Sequence, residues 1–159
     1  MAEPINEMMR LLCDEMLQRL GRWLRAAGYD TAIAEGGAAD HALIARCAAE
    51  RRVLITRDRH LAARAYGAVR TVRLGCNHID DQARSLRVHL GIDWQRAPFT
   101  RCIVDNTVLE DASPEAWSRV PASSRAAGGP LRHCRECGRL YWPGGHVRRM
   151  QIRLAAWGR

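Results

Sequence analysis

Short apolar runs alternate with amphipathic segments along the first 90 residues of this 159-residue chain. A continuous apolar run predicts a strand covered on both faces, and apolar positions that recur every three or four residues predict a helix. The predicted strands lie at residues 10–14, 31–34, 53–55 and 69–74, and the predicted helices at 15–27, from 40, at 58–66 and at 79–90. Strands and helices that alternate in this way predict an α/β fold, in which a parallel sheet carries helices on both faces.

The segment after residue 97 has a different character. Pro98 interrupts the pattern, and residues 111–130 are rich in Ala, Ser, Pro and Gly, which predicts a loop. A Cys-x-x-Cys pair follows at Cys134 and Cys137, and helical spacing returns at 147–157. We therefore expect two units: residues 1–97, with a polar leader at 1–9, and residues 98–159, a small metal-stapled unit with a basic C-terminal helix.

Acidic residues stand at the ends of the predicted strands or the starts of the predicted helices. They are Asp14, Glu15, Asp40, Asp58, Asp80 and Asp81. The carboxyl ends of parallel strands face one crevice, so these side chains are expected to converge. Crowded carboxylates need a cation to balance them, and hard oxygen ligands suit Mg²⁺ or Mn²⁺. The pattern predicts a two-metal phosphodiesterase site.

The roles expected of the acids differ. Asp14, Asp40 and Asp58 are the predicted direct metal ligands, Asp80 or Asp81 the fourth acid, and Glu15 a substitute or a supporting residue. Asp40 and Asp58 also have a simpler interpretation, because either could only cap the helix that it begins. Asp14 is harder to explain in that way, since an acid directly after a buried strand is desolvated unless something pairs with it.

The chain is strongly basic, with a formal net charge of +8 and a pI near 9.9, and every one of its 25 basic residues is Arg. A basic surface attracts polyanions such as nucleic acid. Seven arginines and one acid, Glu136, lie between Arg132 and the C-terminus. This stretch is either a nucleic-acid contact or a solvated basic tail.

Aromatic and basic residues are interleaved near the end of the chain. Tyr141 and Trp142 either stack on bases or cover a small core. His146, Arg148 and Arg149 follow a Gly-Gly pair that could approach a nucleic-acid backbone closely, and we expect these three to contact RNA.

Eight short motifs carry a family resemblance through their order and spacing. They are LCDEML at 12–17, LGRWLR at 20–25, GYD at 28–30, DHAL at 40–43, RVLITRD at 52–58, Cys102, CRECG at 134–138 and YWPGGH at 141–146. Over about residues 10–150 the chain resembles the Mut-seven C-terminal RNase family, PIN-like domains that carry a zinc ribbon. The resemblance implies a PIN-like fold and metal-dependent ribonuclease chemistry at an acidic site built on Asp14, Asp40 and Asp58.

The zinc ribbon implied by the resemblance is altered in this chain. The family pattern has two Cys-x-x-Cys pairs, whereas here Cys102 is followed by Asp105 at the position of its partner cysteine. An Asp oxygen can complete a tetrahedral Zn²⁺ site with three thiolates, so Cys102, Asp105, Cys134 and Cys137 are the candidate ligands. His133 is an alternative fourth ligand, and a site that has lost its zinc is a third possibility.

The leading hypothesis is a Mg²⁺- or Mn²⁺-dependent endoribonuclease whose ribbon grips structured RNA, with tRNA and ribosomal RNA as candidate targets. The predicted RNA contacts are Arg22, Arg57, His146, Arg148 and Arg149. One alternative is a non-catalytic RNA-binding protein acting on tRNA or the ribosome, which predicts salt-dependent binding without turnover. A small-molecule phosphohydrolase is a third hypothesis, although it leaves the basic tail without a purpose.

Membrane and secretion signals are not evident. No apolar run approaches the roughly 18 residues that span a bilayer, and the N-terminus does not have a signal-peptide pattern. A cytoplasmic protein is expected, with its six cysteines as thiols or metal ligands. The oligomeric state and any antitoxin partner have no signal in the sequence.

Overall fold

A computed structural model describes residues 9–159 of the chain, and it confirms the predicted α/β fold. The strands of the main sheet are β1 (Arg10–Cys13), β2 (Asp30–Ile33), β3 (Arg52–Thr56) and β4 (Thr71–Arg73), and the helices between and after them are α1 (Gln18–Ala26), α2 (Asp40–Glu50), α3 (Arg59–Ala65) and α4 (Ile79–Leu90). All neighbouring strands are parallel, in the order β2-β1-β3-β4. The leader predicted at residues 1–9 lies outside the described residues, apart from Met9.

The two central strands explain why helices cover both faces. Cys13 and Ile55 point into the core beneath α1 and α4, whereas Leu12 and Leu54 point into a smaller core beneath α2 and α3. Successive side chains of a strand alternate between faces, so a strand that is apolar at every position needs cover on both sides. Burial at all five positions of β3 meets this expectation.

A second sheet lies in the C-terminal part of the chain. It contains β5 (Glu110–Asp111), β6 (Arg132–His133) and β7 (Leu140–Tyr141), which are antiparallel and ordered β5-β6-β7. The loop predicted at 111–130 holds a 3₁₀ helix (Pro114–Arg119) and a short helix α5 (Ala122–Arg125), and the long helix α6 (Gly145–Trp157) follows. No helix among residues 9–159 is long and apolar enough to cross a membrane.

Helix α6 packs back on the main sheet's helices. The Trp157 ring meets Trp23 and Trp94 edge-on, with ring centroids 4.9 and 5.0 Å away. The larger core also includes Cys134 and Tyr141 of the C-terminal part. The division at residues 97 and 98 remains a prediction about folding units, but apolar packing is continuous across it.

Polar contacts fasten the turn after Cys102 to the outer strand β2. The buried Arg25 side chain donates from Nε to the Thr31 carbonyl at 2.8 Å and from Nη1 to the Val104 carbonyl at 2.6 Å. The backbone N–H of Thr31 donates to Asn106 Oδ1 at 3.0 Å. An edge strand leaves backbone groups unpaired, so these bonds give β2 a partner and fix the position of the turn.

Candidate functional site

A small pocket of about 60 Å³ lies at the carboxyl ends of β1, β2 and β3. Its lining residues are Asp14, Glu15, Met16, Ala34, Glu35, Ala38, Asp40, Leu43, Asp58 and Leu61. We call this the acid pocket, because five of its ten lining residues are carboxylates. The structure therefore brings together the acids that sequence reasoning placed at the ends of β1 and β3 and at the start of α2.

Asp14 lies at the centre of the hydrogen bonding in the acid pocket. It is 4% exposed, and it caps the 3₁₀ turn Glu15–Leu17 by accepting at Oδ1 from the Met16 N–H at 3.0 Å. Its Oδ2 accepts a hydrogen bond from the Thr56 hydroxyl. Within residues 9–159 no Arg or His side chain lies within ion-pair distance of Asp14, so only neutral donors offset a desolvated charge.

Thr56 connects Asp14 to Asp58. The fully buried Thr56 hydroxyl donates to Asp14 and accepts from the Asp58 backbone N–H at 2.9 Å. Asp58 caps α3, where its Oδ1 accepts from the N–H groups of Leu61 at 3.2 Å and His60 at 2.7 Å. These two bonds hold the pKa of Asp58 below its ordinary value, which keeps the carboxyl group ionised.

The other side of the acid pocket is formed by the loop before α2. Glu15 Oε2 accepts from the Gly37 backbone N–H at 2.9 Å and thereby ties the loop to the end of β1. Asp40 is the first residue of α2, but the capping position is held by Ala39, so the prediction that Asp40 caps this helix is wrong. Its carboxylate instead faces the pocket and lies 3.4 Å from Arg64 Nη1.

Glu35 is the pocket residue that sequence reasoning missed. It directly follows the second predicted strand (31–34), and Asp14 is the last residue of the first (10–14), so the same rule about strand ends would have found it. Asp80 and Asp81 do not line the acid pocket. Asp80 Oδ1 accepts from Arg153 Nη2 at 3.0 Å and from Trp157 Nε1 at 2.8 Å, and these bonds join α4 to α6.

The reason for this difference lies in the connection after β4. Strand β4 ends at Arg73, and α4 begins only at Ile79, so the acid pair belongs to the first turn of a helix. Asp81 is exposed and pairs with Arg84 at 2.8 Å on the same helix. The prediction that Asp80 or Asp81 supplies the fourth acid is therefore not carried further, because neither residue lines the acid pocket. The additional carboxylate there is Glu35, which follows β2 at the opposite edge of the sheet from β4.

A second cluster of potential metal ligands joins two turns of the C-terminal part. The ligand atoms of Cys102, Asp105, Cys134 and Cys137 all lie within 4.8 Å of one another. In a tetrahedral site with Zn–S bonds of about 2.3 Å, sulfur atoms are about 3.8 Å apart. Cys102 Sγ and Cys137 Sγ are 3.7 Å apart, and Cys134 Sγ is 3.2 Å from Asp105 Oδ2. The cluster could bind a metal ion such as zinc.

The two turns have matching backbone geometry. In the first, the Asn106 N–H donates to the Cys102 carbonyl at 3.0 Å, and in the second the Gly138 N–H donates to the Cys134 carbonyl at 2.8 Å. Asn106 and Gly138 both have left-handed φ angles, 74° and 71°. Asp105 therefore holds the position in its turn that Cys137 holds in the other, which supports its interpretation as a substituted ligand.

Neighbouring residues complete this picture of the cysteine cluster. His133 does not belong to the cluster among the described residues, so Asp105 is the fourth candidate ligand that the geometry favours. Burial opposes ionisation of Asp105, but hydrogen bonds from the Thr107 backbone and the cluster thiols lower its pKa. Buried Tyr141 donates its hydroxyl to Cys102 Sγ at 3.2 Å, so this ring supports the cluster and does not present a stacking surface.

The predicted RNA contacts lie on several surfaces. They are Arg22 on α1, Arg57 after β3, and His146, Arg148 and Arg149 in the first turns of α6. All are exposed except Arg57, which is half-buried and donates to Asn77 Oδ1. Arg57 directly precedes Asp58 in the sequence. Of the five predicted RNA contacts, it is therefore the one that adjoins a residue of the acid pocket.

Comparison with known families shows which family this chain belongs to. A family model described as the Mut7-C RNAse domain matches residues 9–154, which is nearly the whole chain. The chain belongs to the Mut7-C RNAse domain family. Membership implies a ribonuclease with RNA as its substrate. Searches of curated proteins and of solved structures found no match.

Proposed function

We propose that this Mut7-C domain hydrolyses RNA phosphodiester bonds in the acid pocket with bound Mg²⁺ or Mn²⁺. The observation that carries the proposal is Asp14, a buried carboxylate held in place by Met16 and Thr56 without a cationic partner among residues 9–159. Burying a charge without a counter-charge is costly, and a divalent cation from solution removes that cost.

The set of donors in the acid pocket fits such a cation. Five carboxylates line a cavity of about 60 Å³. Within the described residues, the only ion pair made by any of these five joins Asp40 to Arg64. Carboxylate oxygens are the ligands that Mg²⁺ and Mn²⁺ favour. Asp14, Asp40 and Asp58 are the proposed direct ligands, with Glu35 or Glu15 completing the set.

When bound, divalent ions supply a more acidic water as nucleophile and stabilise the leaving oxygen. The residues of the chain provide the positioning. Thr56 fixes the orientation of Asp14 and holds the backbone of Asp58, while Glu15 fixes the loop that carries Glu35. Attack by water at phosphorus, with departure of the ribose 3′ oxygen, would leave a 5′-phosphate on the downstream product.

We propose that the arginine-rich surface binds the RNA. The net charge of +8 attracts the phosphate backbone, and Arg57 lies next to Asp58 where a scissile phosphate would approach. Arg22 on α1 and the His146–Arg149 turn of α6 would then contact more distant parts of a structured RNA, for which tRNA and ribosomal RNA are the candidate classes.

We infer further that the cysteine cluster holds a structural Zn²⁺. Three thiolates and Asp105 match the donors and spacing of a tetrahedral site. The metal content of purified protein should be about one zinc per chain by mass spectrometry under native conditions. Asp105→Cys should retain zinc more tightly against a chelator, whereas Cys134→Ser should lose it and unfold more easily. A wild-type protein without zinc would contradict this assignment.

The deciding experiment is cleavage of total RNA by the purified protein with Mg²⁺ or Mn²⁺, beside EDTA and the Asp14→Asn variant. Discrete products that disappear in both controls are expected. Asp81→Asn is the matched control, since it removes an exposed acid outside the acid pocket, and it should cleave like wild type. Products that persist with EDTA would overturn the metal site. RNA binding without products in either metal would favour the non-catalytic alternative.

A further inference from the structure

A second, larger groove lies along α3 and β4, on the same face of the sheet as α2. Its volume is about 770 Å³, and it is lined by Arg59, Ala62, Ala63, Tyr66, Gly67, Val69, Thr71 and Arg73. We call it the α3–β4 groove. Its lining includes two arginines and no carboxylate, so its field attracts anions.

Tyr66 gives the α3–β4 groove a stacking surface. The residue is 90% exposed, at the C-terminal end of α3. All other aromatic side chains among residues 9–159 are buried or half-buried, including Tyr29 and Tyr141. An exposed ring beside arginines suits single-stranded nucleic acid, because bases stack on aromatic faces while the arginines contact phosphates.

The arginine end of the α3–β4 groove adjoins the acid pocket. Arg59 directly follows Asp58, and Arg73 is the register partner of Thr56, the residue that holds Asp14. Tyr66 follows the last residue of α3, a helix of seven residues, which places it roughly 10 Å farther along the groove. An RNA strand that left the acid pocket in this direction would pass the two positive charges of Arg59 and Arg73 and then reach the ring of Tyr66.

We propose that the α3–β4 groove binds the single-stranded RNA segment next to the scissile phosphate. Arg59 and Arg73 contact its backbone, and Tyr66 stacks on one of its bases. The inference rests on the proposed ribonuclease function for the identity of the ligand. It adds a substrate preference, because a base can stack on Tyr66 only if it is unpaired, so cleavage requires a single-stranded region beside the cut.

Binding is tested in the Asp14→Asn background, so that cleavage does not consume the probe. The probe is a fluorescein-labelled oligouridylate, and its dissociation constant is measured by fluorescence anisotropy over a range of salt concentrations. Tyr66→Ala should weaken binding about tenfold, and Tyr66→Phe should bind like the parent because stacking is kept. Arg59→Gln with Arg73→Gln should reduce the salt slope by about 1.4, the value for two phosphate contacts on a single strand.

The matched control removes two arginines from the opposite face of the sheet. Arg19 on α1 and Arg84 on α4 are exposed, and their helices lie over the other core. Arg19→Gln with Arg84→Gln changes the net charge by the same amount as the groove variant. It should leave the salt slope unchanged. A slope that falls equally in both double variants would show non-specific attraction and overturn the groove.

A second readout locates the base directly. An oligoribonucleotide that carries 5-iodouridine should cross-link to Tyr66 on irradiation, and mass spectrometry of the peptide identifies the position. In a background with Asp14 intact, Tyr66→Ala should raise KM about tenfold at unchanged kcat, since stacking far from the reacting atoms contributes to binding. A cross-link that maps elsewhere and a KM equal to wild type would overturn the inference.

The outcomes separate this inference from the proposed function. If Asp14→Asn abolishes cleavage while the groove variants bind and cleave like their parents, the proposed nuclease function is supported and RNA binding by the α3–β4 groove is overturned. If no protein cleaves RNA but Tyr66→Ala and the arginine variant lose binding, the groove stands as an RNA site and the nuclease fails.

Discussion

The acids at the two ends of the main sheet differ in whether arginines pair with them. At the amino end, Asp30 forms ion pairs with Arg10 at 3.0 Å and with Arg52 at 2.8 Å. Glu50 also pairs with Arg52. At the carboxyl end, Asp14 is more deeply buried than Asp30 but receives only a hydroxyl and a backbone N–H. The chain has 25 basic and 17 acidic side chains, so arginine is not in short supply.

We interpret this difference as separating acids that stabilise the fold from acids that we propose to bind metal ions. An acid that meets an arginine within the chain contributes to the fold and has no need of another cation. A cluster of acids left without such partners is costly for the fold alone, and that cost is removed when metal ions bind. The absence of internal counter-charges around Asp14 is therefore a stronger sign of function than the number of acids in the acid pocket.

The largest effect is expected from Asp14→Asn. If Asp14 is the central metal ligand that we propose, its loss should reduce RNA cleavage by a factor on the order of 1,000. The free energy of unfolding should stay the same or rise, because a buried, unpaired charge is removed while a hydrogen-bonding oxygen remains. Cleavage rate and urea unfolding measured on one preparation check both. A variant that is active but unstable would place Asp14 with the structural acids and break the comparison.

Removal of the Thr56 hydroxyl should have the next largest effect. Thr56→Val keeps the shape of the side chain but loses the bonds to Asp14 and to the Asp58 N–H. Partners of metal ligands typically contribute about 10- to 100-fold in metal affinity or activity. The half-saturating Mn²⁺ concentration should rise accordingly, and Thr56→Ser should restore it. Equal losses in both variants would indicate a packing defect instead of lost positioning.

Sequence patterns predicted the carboxyl end of the sheet better than the amino end. The apolar runs predicted which residues enter β1 and β3, and an acid at or within two residues of the end of a buried strand lies at that edge of the sheet. Asp14 and Asp58 follow from this rule alone. Asp80 and Asp81 did not obey it, because the five residues between β4 and α4 uncouple the helix from the strand end.

Arginine pairing and turn geometry are harder to foresee. Asp30, Arg52 and Asn106 are far apart in the sequence, and their contacts depend on the strand order and on the turn after Cys102. A long flexible side chain has many possible partners, so spacing carries no signal for it. The Tyr66 ring was likewise invisible, since an aromatic residue in a predicted helix is usually part of the core.

At the amino end, Asp30→Asn should lower stability without a direct effect on catalysis. Burial raises the pKa of Asp30, but bonds from Arg52, Asn106 and Arg10 outweigh it and lower the pKa to about 2, from an ordinary 3.8. A depressed pKa contributes stability above the unfolded-state value, and this stability is lost as the pH falls from about 4 to 2. The variant should lose about 2 kcal/mol at neutral pH.

Urea unfolding between pH 7 and pH 2 checks this prediction. The stability difference between wild type and Asp30→Asn should be largest at neutral pH and shrink toward pH 2. Asp81→Asn is the control, because its exposed pair with Arg84 contributes little. Cleavage by folded Asp30→Asn protein should equal that of wild type. A difference that is constant with pH would mean that the charge of Asp30 is not the cause.

The smallest effect is expected from Arg64→Gln, which removes the one ion-pair partner that a carboxylate of the acid pocket has among residues 9–159. Arg64 is exposed and lies 3.4 Å from Asp40, so the pair is weak. Without it, the pocket is more negative, and the half-saturating Mn²⁺ concentration should fall about twofold at unchanged kcat. Arg46→Gln, which breaks an exposed pair with Glu50 on α2, should leave metal affinity unchanged.

A large loss of activity in Arg64→Gln, with metal affinity unchanged, would mean that an arginine is an integral part of the acid pocket. The contrast between Asp30, which is held by arginines at one end of the sheet, and Asp14, which has no such partner at the other, would then fail to identify the acids that act in catalysis.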